Sequence, residues 1–280
     1  MVAFAMNSVI GRAALKSSAE PIIDPATYTS VRIVSGALML AAIQFVRRRK
    51  SGNEGGEATR KSGWLPACVL SLYAITFSFA YVGLDAASGT LILFAFVQLT
   101  MFAFAAAKGE RPRAVELAGM GIAMAGLAYL YAQKLGGASL ATESFLMALA
   151  GIGWGTYSVF GKGSGDPIGD TASNFGRSVI FVAIASLIFW GRFTLDSHGF
   201  LLAAASGALT SGLGYVLWYT VLPQLRSTQA AVVQLSVPII AAIGGIFVGD
   251  PLTQRTVMAG LLILGGIAMT VDWKPTVTGR

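Results

Sequence analysis

The chain carries one short motif twice, at positions that divide it into two related halves. SVIGR at residues 8–12 returns 150 positions later as SVFGK at residues 158–162, and a similar order of apolar stretches, Gly and Pro follows each copy. If each half contributes five spanning helices, an odd number, the second half must start on the membrane side where the first ended. The duplication therefore predicts an inverted-topology repeat, in which a binding site lies between the halves near the bilayer midplane.

Ten apolar runs bounded by loop signals fit this arrangement. They lie at 2–17, 26–46, 63–83, 89–107, 114–133, 144–161, 171–191, 199–221, 228–248 and 256–273. Hydrophobic residues make up 55% of the chain and charged residues 12%, against about 25% charged in soluble domains. The predicted fold class is an all-α integral membrane protein with ten transmembrane helices, in two inverted five-helix repeats at 1–134 and 143–274.

Weaker correspondences between the halves keep the same order along the chain. Arg32 corresponds to Arg177, the set Tyr73, Phe77, Tyr81 to the set Ser211, Tyr215, Tyr219, and the pair Gly109, Glu110 to the pair Gly249, Asp250. The first run, 2–17, is shorter than the roughly 20 residues that cross a bilayer. We therefore expect that a few native residues precede it.

The distribution of basic residues predicts the topology. Thirteen of the 20 Lys and Arg fall in the loops after runs two, four, six and eight and in the C-terminal tail, and four fall in the opposite loops. Lys and Arg collect in cytoplasmic loops because they orient helices during insertion. Both termini are therefore expected in the cytoplasm. The net charge of +7 then reports topology, and binding of nucleic acid is not expected.

Acidic residues avoid the middle of every predicted helix. All 13 lie in loops or within a few residues of a helix end, whereas a carboxylate kept at the bilayer centre usually carries ions or protons. This pattern argues against an antiporter that titrates a mid-membrane acid. Cys68 and His198 are the only residues of their types, so we expect no metal site and no cofactor.

Motifs of soluble and membrane enzymes fail on spacing. The segment from Gly155 to Lys162 is one residue too long for a phosphate-binding loop and has no Ser or Thr after the Lys. Gly163 to Asp166 resembles an intramembrane aspartyl protease motif, but it falls in a loop and no second mid-membrane Asp accompanies it. The chain is therefore predicted not to be an enzyme.

Aromatic and uncharged polar side chains occupy mid-helix positions, where they can line a cavity. The candidate substrate-binding residues are Asn7, Ser8, Tyr73, Phe77, Tyr81, Phe94, Gln98, Trp154, Tyr157, Ser158, Tyr215 and Trp218. Rings can bury an apolar body and accept an ammonium, and amides and hydroxyls can pair with a carboxylate. The alternative is that the same side chains only pack helices together and hydrogen-bond between them.

Two arginines near helix starts, Arg32 and Arg177, could bind a substrate carboxylate. Each lies six or seven residues into its predicted helix, which is close enough for the side chain to reach the interface. Pairing with loop acids such as Asp24 and Asp170 is also within reach. We expect the structural role.

The order of these features resembles the drug/metabolite transporter superfamily in its ten-helix form. The residues that carry the resemblance are Asn7 to Val9 with Gly11 and Arg12, Asp24 and Pro25 leading to Arg32, Gly249 and Asp250 leading to Gly260, and Pro238. Within the superfamily the chain is most similar to bacterial exporters of aromatic and other neutral amino acids (YddG type). The resemblance implies a cavity lined by helices one to four and six to nine, with five and ten outside.

The expected function is export of small neutral metabolites, above all aromatic and other apolar amino acids, through the bacterial inner membrane by alternating access. The partners are then a small-molecule substrate and membrane lipid; the oligomeric state is left open. With no proton-carrying acid in the membrane, transport should run down the substrate gradient. Two alternatives remain: proton-coupled drug or metabolite efflux, and a non-transporting membrane enzyme or scaffold.

Overall fold

The computed structural model of the chain describes residues 1–16, 22–51, 63–109, 113–131, 138–161, 164–221, 234 and 236–270. Ten helices lie within these ranges, with one short 3-10 turn at Trp190–Arg192. The first five are α1 (Val2–Leu15), α2 (Pro25–Ser51), α3 (Trp64–Ala80), α4 (Ala86–Ala107) and α5 (Ala114–Tyr131). The second five are α6 (Ala138–Gly161), α7 (Pro167–Ile188), α8 (197–221), α9 (Ser236–Phe247) and α10 (Gln254–Thr270). The all-helical prediction is confirmed for this part of the chain.

Several helices start earlier than their apolar runs, because polar residues form the first turn. Pro25 and Pro167 open α2 and α7, and proline suits a first helical position because it has no N–H to leave unpaired. The carboxylate of Asp24 accepts from the N–H groups of Ala26 and Thr27, each at 3.0 Å. Asp85 caps α4 through the N–H of Ser88 at 2.7 Å. Such caps satisfy donors that the helix itself cannot pair.

Four helices are long and apolar enough to cross a membrane by length and composition. They cover Pro25–Arg49, Ala86–Ala107, Pro167–Ile188 and Ser197–Trp218, and five further apolar helices are shorter in the described part of the chain. Large apolar side chains point outward from the bundle, as at Leu187, which is 71% exposed, and Phe247, which is 86% exposed. Exposure of many large apolar side chains is typical of a surface that meets lipid.

The main contacts between helices form a pattern that stays the same when the two halves of the chain are exchanged. Helix α1 packs on α8 and α9, and α6 packs on α3 and α4. Helix α2 packs on α7 and α8, α7 packs on α3, and α4 and α5 pack on α9 and α10 respectively. If each of α1–α5 is exchanged with its counterpart among α6–α10, the pairs α2–α7, α4–α9 and α5–α10 map onto themselves, and each of the other six pairs becomes another pair of the set.

Glycines set how closely three of these pairs approach. A Cβ on Gly207 of α8 would lie 2.0 Å from the carbonyl oxygen of Arg32 in α2. On α6, a Cβ at Gly151 would lie 2.6 Å from the carbonyl oxygen of Leu93 in α4, and one at Gly153 would meet the backbone of Tyr73 in α3. Gly151 and Gly153 of α6 therefore allow close approach of two different helices, α4 and α3. Small residues allow such close contact where no hydrophobic force brings helices together in lipid.

Candidate substrate site

A pocket lies at the middle of the bundle, where α1, α2, α3, α4, α6 and α8 converge. Only about 20 Å³ of it can be occupied by the centre of a water-sized sphere, within about 380 Å³ of space between atoms that includes the open mouth. Its described lining is Phe4, Asn7, Ser8, Arg32, Tyr73, Phe77, Leu93, Phe94, Trp154, Thr210, Ser211 and Tyr215. Helices α5 and α10, which pack on each other, contribute none of these residues. The lining joins one cationic group, several uncharged polar groups and a majority of apolar or aromatic side chains, and it includes no acid.

Asn7 organises the polar part of the pocket. Its side-chain oxygen accepts from the hydroxyls of Ser206 at 2.7 Å and Thr210 at 3.1 Å, and its Nδ2 donates to the hydroxyl of Tyr73 at 3.4 Å. These bonds join α1 to α8 and α3. Asn7 is 6% exposed, so its amide needs partners, and the three bonds hold it in one orientation.

The α8 residues in this network lie in a wide helical turn. From Ser206 to Leu213 the backbone follows a π-helix instead of an α-helix. Wide turns of this kind are rare and occur often at functional sites. Thr210 and Ser211 both line the pocket and both belong to the wide turn. Gly207, in the same turn, allows the close approach of α2 that brings Arg32 near Ser211.

Arg32 lies inside the bundle and not at the interface. The residue is 2% exposed, its Nη2 donates to the hydroxyl of Tyr73 at 3.1 Å, and its Nε donates to Ser211 Oγ at 3.4 Å. Its guanidinium carbon stands 4.8 Å from the ring centroid of Phe77 and 5.3 Å from that of Tyr73. The expectation that Arg32 reaches the interface or pairs with Asp24 is wrong, because Asp24 is occupied by backbone N–H groups, including that of Thr194 at 3.1 Å.

Arg177, the counterpart of Arg32 in the second half, has different surroundings. It is half-buried, its Nη1 donates to the carbonyl oxygen of Gly63 at 3.4 Å, and its guanidinium lies 5.8 Å from the ring centroid of Trp64. It is not among the described lining residues. Sequence symmetry placed both arginines at equivalent helix positions, but only Arg32 turns into the pocket.

Trp154 is the centre of the aromatic wall. Its ring lies 5.2 Å from that of Tyr73, 5.2 Å from that of Tyr215 and 6.1 Å from that of Phe4, between centroids. Tilted and edge-on contacts at these distances are favourable. Because the rings of α1, α3, α6 and α8 already touch, the pocket is narrow. A ligand with a large apolar body needs these rings to separate, which means that the helices must move.

Seven of the twelve predicted site residues line the pocket together. They are Asn7, Ser8, Tyr73, Phe77, Phe94, Trp154 and Tyr215. The other five lie outside the described lining: Tyr81 packs against Phe77, Gln98 is half-buried further along α4, Tyr157 accepts from Asn174, Ser158 donates to the Trp154 carbonyl, and Trp218 packs against Phe4. The substrate-binding role of all twelve residues stays a prediction.

Sequence reasoning missed or undervalued five lining residues. Phe4, Thr210 and Ser211 occupy the lining but were not among the candidates, although all three are mid-helix residues of types that suit a cavity. Leu93 has no chemical property that would distinguish it in the sequence as a pocket residue. Arg32 was assigned a structural role because its position near a helix start suggested access to the interface. No group of three or more His, Cys, Asp or Glu in the described residues could hold a metal ion.

The chain is similar in sequence to known membrane transporters. The sequence pattern of the EamA-like transporter family matches residues 141–272. An uncharacterised protein of Pseudomonas aeruginosa is 44% identical over 275 residues, which cover 96% of this chain and 91% of that protein. The chain belongs to the EamA-like transporter family. The resemblance to the drug/metabolite transporter superfamily is thereby confirmed.

More distant relatives of this EamA-like chain carry names that mention transport. A probable amino-acid metabolite efflux pump of Escherichia coli is 25% identical over 240 residues, covering 76% of this chain and 80% of that protein. The uncharacterised transporter YoaV of Bacillus subtilis is 21% identical over 258 residues, covering 88% and 87%. A solved crystal structure superposes with a TM-score of 0.66 at 18% identity over 96% of this chain and 94% of that one, which shows a shared fold.

Proposed function

We propose that this EamA-like transporter exports small neutral metabolites across the bacterial inner membrane, above all aromatic and other apolar amino acids, by alternating access through the central pocket. The observation that carries the proposal is the pocket itself, in which aromatic rings surround a small group of polar side chains. Such a lining suits a compact ligand with an apolar body and a polar head. The printed name of the Escherichia coli relative, an amino-acid metabolite efflux pump, agrees with this substrate class.

The proposal includes two inverted repeats, at 1–134 and 143–274, with ten spanning helices. The exchange-symmetric packing described above supports it. So do two glycines with positive φ, Gly109 at 85° and Gly249 at 79°, which end the equivalent helices α4 and α9. Only these two have positive φ among the described residues, and they are the pair that the repeat equated. Glycine ends helices in this conformation because it lacks a Cβ.

Alternating access requires that one side of the pocket be closed while the other opens. With both termini in the cytoplasm, as proposed, the ends of α1 and α3 and the starts of α2, α4 and α10 face outward. Contacts on that side include a buried ion pair, Arg12 with Asp250 at 2.9 Å, and a backbone hydrogen bond from the N–H of Asp24 to the Thr194 carbonyl at 3.1 Å. On the opposite side, Arg47 and Asp166 form an exposed pair. The arrangement supports a state that is closed toward the outside.

The deciding experiment is uptake of labelled phenylalanine by proteoliposomes that contain the purified protein. We expect equilibration without an imposed ion gradient, accelerated by unlabelled phenylalanine on the far side. Vesicles with a variant that fills the pocket, Ser211→Trp, are the matched control and should lose the flux while remaining folded. Accumulation that requires a pH gradient would favour proton-coupled efflux. Absence of flux for every amino acid tested would contradict the proposal.

A further inference from the structure

The buried charge of Arg32 has no counter-ion among the described residues. The ion pairs found there are Arg12–Asp250, Arg47–Asp166 and Arg113–Glu116, and none includes Arg32. Its Nε and Nη2 donate to Ser211 and Tyr73, but its Nη1 is buried and has no hydrogen-bond partner in the described part of the chain. A guanidinium cannot relieve this situation by losing its proton, because its pKa is too high.

An uncompensated charge in a protein interior is strongly unfavourable, so its retention calls for an explanation. The ring faces of Phe77 and Tyr73 offset part of the cost through cation-π contact. They leave Nη1 unpaired, and Arg32 belongs to the pocket lining together with Ser211 and Tyr73. Arginine also has the donor geometry that fits a carboxylate, which accepts two parallel bonds from it. The missing partner is therefore best supplied by a ligand.

We propose that Arg32 is the anchor for a substrate carboxylate, and that this carboxylate, not an amino group, is what the site requires. The inference rests on the proposed function in that it concerns the same pocket. Substrates are then organic carboxylates with an apolar, preferably aromatic, tail that lies against Trp154, Tyr215 and Phe94. Amino acids satisfy this rule, and so do acids that lack the amino group.

The charge balance of the pocket makes the amino group dispensable. No lining residue in the described part of the chain is acidic, so an ammonium would find ring faces and uncharged oxygens there but no counter-charge. A carboxylate without an ammonium neutralises Arg32, whereas a zwitterion leaves the net charge of the pocket unchanged. A cationic amine adds a second positive charge beside the first and is disfavoured by repulsion. The pocket should therefore exclude lipophilic cations.

The test uses four phenyl compounds as probes of the full-length protein in detergent micelles. They are phenylalanine, 3-phenylpropionate, phenethylamine and phenylalaninamide, and binding is followed by the fluorescence of the Trp154 indole, with Trp154→Phe to identify its signal. We expect 3-phenylpropionate to bind at least as tightly as phenylalanine. Phenethylamine and phenylalaninamide should bind at least 10-fold more weakly. Equal binding of phenethylamine and 3-phenylpropionate, or binding of none of the four, would overturn the proposal.

Variants of the two equivalent arginines then assign the effect to one residue. Arg32→Gln should weaken 3-phenylpropionate binding by about 10- to 100-fold, the range for loss of a charged hydrogen bond, and Arg32→Lys should fall between. Arg177→Gln, the matched control outside the pocket lining, should change it less than about 3-fold. A folded Arg32→Gln protein that binds 3-phenylpropionate normally would refute the assignment. If Arg32→Gln does not fold, the four-compound series on the unchanged protein still decides.

The two proposals can fail separately. If phenylalanine is transported but 3-phenylpropionate neither binds nor competes, the carboxylate rule is wrong and the exporter function stands. If 3-phenylpropionate binds through Arg32 but no amino acid crosses the membrane, the anchor stands and the proposed substrate class of the exporter is wrong.

Discussion

At the scale of single residues, the Arg12–Asp250 pair shows how two opposite charges can be buried when hydrogen bonds satisfy both of them. Arg12 is 9% exposed and Asp250 7%. Arg12 also donates to the carbonyl oxygens of Tyr81 and Val82, at 3.1 and 3.2 Å, and Asp250 Oδ2 accepts from the N–H of Ala86 at 2.8 Å. Burying an ion pair is tolerable when additional hydrogen bonds satisfy both ions. The pair thereby joins the ends of α1, α3 and α9 to the start of α4.

Asp250→Asn is expected to lower stability strongly, because it leaves the Arg12 guanidinium buried beside a neutral amide. Breaking a buried pair by neutralising one partner costs about 3–5 kcal/mol. The measurement is the midpoint of thermal unfolding in detergent. Arg47→Gln is the matched control, since it breaks an ion pair whose side chains are 51% and 39% exposed, and exposed pairs contribute about 0–1 kcal/mol. Equal shifts for the two variants would contradict this account of the buried pair.

Trp154→Ala should weaken substrate binding, because it removes the ring that three other rings of the pocket contact. Aromatic contacts contribute about 0.5–1.5 kcal/mol each beyond their buried area, so we expect KM for phenylalanine to rise by at least about 10-fold. Trp154→Phe should retain most of the affinity. Trp190→Ala, on the exposed 3-10 turn where its ring stacks on Phe193 at 5.5 Å, should leave KM unchanged. A similar KM for Trp154→Ala and the unchanged protein would rule out this role.

At the scale of helices, the contact of α5 with α10 depends on two glycines that occupy equivalent positions in the halves. A Cβ on Gly126 would lie 2.8 Å from Leu262 Cβ, and one on Gly266 would lie 2.4 Å from the carbonyl oxygen of Gly119. The separation of 140 residues between Gly126 and Gly266 is also that between Gly109 and Gly249. Each helix therefore presents a small residue where the other backbone comes close, and this lets the pair pack outside the pocket.

Gly266→Ala should destabilise this contact, since the added methyl meets the α5 backbone and cannot be avoided by a side-chain movement. Overpacking of this kind costs about 1–3 kcal/mol. The adjacent Gly265 has open space where an added methyl would lie, so Gly265→Ala should be neutral or stabilise the helix by up to about 1 kcal/mol. Thermal unfolding of the two single variants measures the difference. A smaller loss for Gly266→Ala than for Gly265→Ala would disprove the contact.

At the scale of the whole molecule, the closures on the two sides of the pocket differ in kind. The side that we propose faces outward has the buried Arg12–Asp250 pair and an antiparallel bridge between Ile23 and Leu195. The opposite side has an exposed ion pair, the contact of Arg177 with Gly63 and a buried hydrogen bond from Ser178 to the Ala67 carbonyl, but no buried ion pair among the described residues. Buried, fully hydrogen-bonded contacts resist opening more than exposed ones. Opening toward the outside should therefore require the release of Asp250 from Arg12.

Cysteine labelling can test which closure controls access. In a Cys68→Ser background, which removes the single native cysteine, Ser211→Cys should react slowly with a membrane-impermeant maleimide added outside. Adding Asp250→Asn should speed this reaction by about 10-fold or more, because the outer closure loses its ion pair. Ser197→Cys, at the exposed start of α8 on the same side of the pocket, reports labelling from outside in both backgrounds. Unchanged Ser211→Cys labelling would exclude this closure as the gate.

The sequence alone determined the helical content and the family and predicted the duplication, because apolar runs, paired motifs and composition are properties of local stretches. The sequence could not show which helix faces meet, because a helix that is apolar on every side does not indicate which side turns inward. Only the tertiary structure brought Asn7 to Ser206, 199 residues away, and Arg12 to Asp250, 238 residues away. It also showed that Arg32 lines the pocket and that Arg177 is not among the described lining residues, although the two occupy equivalent positions in the sequence. The direction of a buried side chain depends on neighbours that are distant in the chain, and that direction decides which residues form the pocket.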